Sequence, residues 1–128
     1  MRLQASYGQA WAHFKMRDEA RTIQLLSDPS GDFQRAAQAS TNDALVVDGH
    51  LLLAEANSNK KEYRTAERIL TELAGRNPAP ELDWRRQYLL SLNALADQRP
   101  EDALKTATNL VALASNTNLL NRPVLHAN

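Results

Sequence analysis

The chain reads as all-α, a set of antiparallel helix pairs, and three observations carry that reading. Leucine and alanine, both strong helix formers, occur 20 times each, against 4 valines and 2 isoleucines. Apolar residues recur at spacings of three, four and seven, the repeat of one helix face. Only 4 glycines and 5 prolines punctuate the chain, and four of the prolines fall between the periodic stretches.

Taken in order, helices are predicted over 3–16, 18–27, 42–58, 61–75, 82–97 and 100–115. Asp18-Glu19 opens the second, where acidic side chains complement the helix dipole. Asp28-Pro29-Ser30-Gly31-Asp32 is a turn, and Phe33 to Ala39 has the length of one more short helix. The third long helix carries Leu45, Val46, Leu52, Leu53 and Ala56, with Thr41 or Asn42 as its cap and Asp43 in its first turn. The fourth has a stripe of Ala66, Ile69, Leu70 and Leu73, with Gly75 expected to stop it. Asn77-Pro78-Ala79-Pro80 prevents continuation, because proline has no amide donor and restricts the residue before it. Pro100 suits a first helical turn, backed by Glu101 and Asp102.

Composition also removes function classes. Lysine plus arginine is 15 and aspartate plus glutamate is 15, so the basic excess of a dedicated nucleic-acid or anionic-membrane binder is missing. Cysteine is absent, which removes disulfides, thiolate metal sites and a cysteine nucleophile and leaves the compartment open. No apolar run reaches the length of a membrane span, and Met1 to Gly8 lacks the apolar core of a signal peptide. That opening segment reads as a helix already under way, as expected of a piece cut from something longer.

The search for catalytic or metal chemistry is negative. His13, His50 and His126 form no His-x-x-x-His or His-Glu-x-x-His pattern. His50 and Glu55 are five apart on one helix, so they point in different directions; a partly buried packing role is expected for His50. No Gly-x-Ser-x-Gly elbow exists, and no two glycines lie closer than Gly31 and Gly49, which excludes a glycine-rich phosphate loop. Neither catalysis nor a cofactor is expected. Arg85-Arg86 with Trp84 and Tyr88 is a set that stacks on nucleic-acid bases, but in a neutral chain a rim contact or a salt bridge with Glu81 is favoured.

A repeat underlies the helix pairs. Laying 49–78 over 86–115 places Ala54 on Ser91, Lys61 on Gln98, Ala66 on Ala103, Leu70 on Ala107 and Leu73 on Leu110. Small residues therefore recur twelve apart, one per helix, where two antiparallel helices must cross closely. Leu53-Ala54, Tyr63, Ala66, Leu70, Leu73 and Pro78 resemble one full unit of the tetratricopeptide repeat (TPR) family. Leu90, Ser91, Ala103 and Leu110 fit the next unit, although Pro100 and Ser115 replace the turn aromatic and the final proline. Tyr7, Gly8, Trp11 and Ala20 resemble a first unit, which departs from the pattern at Gln24 and Ser27.

This resemblance implies a short right-handed α-solenoid of about three helix pairs. The helical repeat domain spans 1–116, with repeats at about 3–28, 46–78 and 83–116, and residues 117–128 form a capping or disordered extension. A leucine- and alanine-rich up-and-down bundle shares the periodicity and differs in how the pairs stack. In the family the first helices line a concave groove that takes an extended peptide or partner helix. Carried onto this chain, the groove residues are Asp48, Leu51, Glu55 and Asn59, then Arg85, Tyr88, Leu92 and Leu95, with Arg2, Ala5, Gln9 and His13 from the first unit. Leu51 and Glu55 stand where a carboxylate clamp needs a lysine and an asparagine, so that clamp is not expected. The expected function is a non-catalytic protein-interaction module for an apolar or mildly basic segment, without nucleic acid or a membrane span. The competing expectation is an assembly segment of a longer array or a homo-oligomer, its groove filled internally. Leu110, Val111 and Leu113 would then form the contact, and Leu119 and Leu120 continue apolar beyond them.

Overall fold

The computed structural model describes residues 2–39 and 44–117. Those residues form seven α-helices and no strand: α1 (Arg2–Lys15), α2 (Glu19–Ser27), α3 (Asp32–Ala39), α4 (Ala44–Asn59), α5 (Tyr63–Leu73), α6 (Pro80–Ala96) and α7 (Pro100–Thr117). The all-α reading holds. The expected cap, Thr41 or Asn42, and the first-turn Asp43 lie outside the described residues, as do Leu119, Leu120, His126 and the rest of the extension beyond 117; so does the side chain of Leu113.

α1 pairs with α2, α4 with α5, and α6 with α7, and one turn closes all three pairs. Arg17, Lys61 and Gln98 each take a left-handed backbone, with φ of 63°, 66° and 59°. The Arg17 amide donates to the Phe14 carbonyl (2.9 Å) and the Asp18 amide to the His13 carbonyl (2.8 Å). Lys61 to Ser58 (2.9 Å) with Glu62 to Asn57 (2.8 Å) repeats this, as does Gln98 to Leu95 (3.1 Å) with Arg99 to Ala94 (2.8 Å). Such paired bonds around a left-handed residue satisfy the last carbonyls of a helix. They explain why α5 begins at Tyr63 rather than 61: Lys61 belongs to the turn. Asp18 caps α2 by accepting from the Arg21 amide at 3.2 Å.

The small-residue crossings fall where these turns dictate. Ala54 (1% exposed) and Ala66 (0%) lie in the middle pair, and Ser91 and Ala103 in the last, where the Ser91 hydroxyl donates to the Ala103 carbonyl at 3.3 Å. In the first pair the corresponding residues are Ala10 and Thr22, both fully buried, joined by a Thr22 hydroxyl bond to the Ala10 carbonyl at 3.3 Å. Gly8 and Ala20, the small residues that the repeat resemblance places there, are both exposed. The register of the first pair is thus corrected by two residues, which brings buried Leu26 to the place of Leu70. The spacing between the first two turns exceeds that between the last two, and the longer interval holds α3.

α3 docks through Phe33, fully buried with Ala10, Leu26, Leu52 and Leu53. Its ring lies on the backbone of α4 at Gly49, where a Cβ would overlap the ring carbons Cε1 and Cζ. Glycine is needed at that point for close approach. A second cluster joins Val47, Leu51, Ala54, Ala66, Leu70 and Leu73, with Leu82, Leu89 and Leu90 of α6 packed against it. α4 is therefore covered on nearly all sides, which accounts for its unbroken Leu51-Leu52-Leu53 run. Gly75 does not end α5. A 3-10 turn over Ala74–Arg76 follows Leu73, and Asn77 takes the left-handed conformation at φ 50° ahead of Pro78.

Candidate partner-binding face

The first helices of the three pairs, α1, α4 and α6, are tied together at Asp48. The Tyr7 hydroxyl of α1 donates to Asp48 Oδ2 at 3.1 Å, and the Arg85 guanidinium of α6 donates to Oδ1 at 2.6 Å. Burial, followed by the Asp48 charge, pushes the Tyr7 hydroxyl pKa up to about 12. Charge-assisted bonds of this kind position helices more than they stabilise them where the pair is partly wet.

Of the groove residues read from sequence, Asp48 and Arg85 are thus spent on each other. Leu51 is corrected outright: at 0% exposure it lies in the core with Val47, Ala54 and Leu70, because α6 packs on that side of α4. Glu55, Asn59 and Leu92 are brought together, lining a cleft of about 230 Å³ between α4, α5 and α6. Tyr88, Leu92 and Leu95 are 43%, 44% and 55% exposed, and Tyr88 stacks on Trp84 with ring centroids 5.6 Å apart. They form an apolar band along α6 beside the cleft. Ala5 and Gln9 are exposed on α1, and His13 is half-buried with Nδ1 3.4 Å from Asp18; the Arg2 side chain lies outside the described residues.

Glu55 is half-buried and has no hydrogen bond or ion pair among the described residues. Loss of solvation raises its carboxyl pKa, and the nearby Arg85 charge partly offsets this. Asn93, at 2% exposure, lines the same cleft. Its Nδ2 donates to the Tyr63 carbonyl at 2.9 Å, while its buried Oδ1 has no donor. Asn93 carries little signal in the sequence: it is a polar residue four positions after Leu89, on a helix whose buried positions also include Arg86 and Ser91.

His50 lies elsewhere. It lines a cavity of about 400 Å³ between α2, α3, α4 and α5, together with Arg68 and Glu72. Its Nδ1 sits 2.8 Å from the Val46 carbonyl, so that nitrogen carries the proton, and burial lowers the ring pKa. Its ring packs 5.2 Å from that of Phe33. His50 and Glu55 therefore belong to different clefts.

The other arginine of the basic pair, Arg86, is buried; it donates to Asp83 at 2.7 Å and to the Leu70 carbonyl at 3.3 Å. With Arg85 held by Asp48 and Trp84 stacked on Tyr88, the set read as a base-stacking candidate is engaged within the fold. Among the described residues no group of histidine, aspartate and glutamate is placed to hold a metal ion, and no helix is long and apolar enough to cross a membrane. Comparison with protein-family models, with curated proteins and with solved structures finds no match to the chain.

Proposed function

We propose that the chain is a non-catalytic protein-interaction module, a short TPR-like stack of three helix pairs that captures a peptide or partner helix on its α4–α6 face. The observation that carries this reading is the band of Trp84, Tyr88, Leu92 and Leu95 on α6. Three large side chains in it are more than two-fifths exposed, and it runs beside a cleft walled by Glu55, Asn59 and Leu92. An exposed apolar band bordered by polar groups marks a site of association. The three identical turns and the small-residue crossings support the repeat architecture. The groove is Asp48, Glu55, Asn59, Arg85, Tyr88, Leu92 and Leu95, without Leu51, and it requires no cofactor.

Peptide display against the wild-type chain, followed by titration of an enriched peptide, tests the assignment. Replacing Tyr88 and Leu92 by alanine should weaken binding at least about tenfold, the value of roughly 1.4 kcal/mol. Undiminished binding refutes the face. A second reading, self-assembly or continuation of a longer array, is favoured by α7, where Leu104 is 69% and Val111 63% exposed. Leu110, the other described member of that expected contact, is half-buried. Light scattering across a wide concentration range separates the two: a dimer disrupted by Val111→Asp supports assembly, and a monomer throughout removes it.

A further inference from the structure

We propose that the cleft between α4 and α6 receives the alkylammonium side chain of a lysine carried by the partner segment; this rests on the interaction-module reading and specifies its chemistry. The cleft is walled by Ala54, Leu70, Leu89, Leu92 and Ala96, a lining suited to a four-carbon stem. Its polar lining is Glu55, Ser58, Asn59 and Asn93, and two of these present acceptors without a donor. Glu55 has no hydrogen bond or ion pair among the described residues, and Asn93 Oδ1 is buried without one.

Among the described residues the cation that acts on Glu55 is Arg85, whose guanidinium is already 2.6 Å from Asp48. A half-buried carboxylate without an ion pair and a buried amide oxygen without a donor, on two residues that line one cleft, are each costly to leave unmatched. A lysine ammonium supplies three donors and a compensating charge, and its stem covers the leucines. Tyr88 and Leu95 stand outside the cleft, where the apolar residues flanking that lysine would pack. Charge and shape thus select a basic side chain within an apolar segment.

The test uses Nα-acetyl-lysine methylamide as probe, followed by amide chemical shifts of the intact chain. Saturable shifts are expected at Glu55, Asn59, Leu92 and Asn93, with none from the Nε-acetylated counterpart, which has the stem but no charge. Glu55→Gln should abolish the response. Ala96→Leu, at an exposed position that fills the apolar end of the cleft, should also abolish it while leaving the fold intact. Absence of shifts, equal shifts from the neutral counterpart, or a wild-type response in both variants overturns the proposal. A display-selected peptide that needs Tyr88 and Leu92 but is indifferent to Glu55→Gln would overturn the lysine site alone and leave the module reading standing.

Discussion

Gly49→Ala provides the sharpest test of how α3 is built into this fold. In an unhindered helix interior alanine is favoured over glycine by about 1 kcal/mol. At Gly49 the added methyl meets Cε1 and Cζ of Phe33 and lies 3.3 Å from Cδ1. That ring is fully buried among Ala10, Leu26, Leu52 and Leu53, so it cannot swing aside as a flexible side-chain end would. Overpacking of an enclosed ring costs about 1–3 kcal/mol, and the overlap here puts it toward the upper end. After the helix-propensity gain, a net loss of about 1–2 kcal/mol is expected.

Phe33→Ala alone should cost about 3–5 kcal/mol, and in that background Gly49→Ala should become stabilising by about 1 kcal/mol, because the obstruction is gone. The reversal of sign corresponds to a coupling of about 2–3 kcal/mol, measurable by urea denaturation of the four proteins followed by circular dichroism. A stabilising Gly49→Ala in the wild-type background would refute the docking of Phe33 on α4.

Other consequences follow from the turns and the polar ties. Arg17→Gly, Lys61→Gly and Gln98→Gly should each be neutral to stabilising by up to about 1 kcal/mol, since glycine takes the left-handed conformation without strain; a loss at all three by thermal denaturation would contradict the shared turn. Arg86→Met leaves Asp83 and the Leu70 carbonyl without a donor, and a loss of roughly 2–4 kcal/mol is expected in the same assay. Tyr7 ionises at about 12 in the folded chain against 10.0 for a free tyrosine, so its contribution is complete below pH 10 and is lost as the pH rises toward 12. In Asp48→Asn a spectrophotometric titration should show that pKa falling while staying above the free value, because burial, its largest cause, remains.

The all-α class and the helices were legible in the sequence because their strongest signals are local. Leucine and alanine spacing located every long helix, and Pro80 and Pro100 stand at the starts of α6 and α7, as prolines in first turns do. The middle and last pairs were aligned correctly because Ala54, Ala66, Ser91 and Ala103 keep one spacing. The first pair slipped because Gly8 and Ala20 are also small and twelve apart, and only the turn at Arg17 selects Ala10 and Thr22.

The face was legible in part. Tyr88, Leu92 and Leu95 are exposed as their helix register implies, whereas Leu51 shares that register and is covered by α6. The bond from Tyr7 to Asp48 spans 41 positions and has no periodic signature. Asn93 was missed because a buried polar residue reads as a surface one until the helix beside it is placed.

The measurement that tests the central claim most directly is amide hydrogen exchange of the chain with and without a display-selected peptide. Added protection is expected along α6 from Trp84 to Leu95 and along the Glu55–Asn59 end of α4, with the His50–Arg68–Glu72 cavity unchanged. Protection confined to that cavity, or to α7, would contradict that claim.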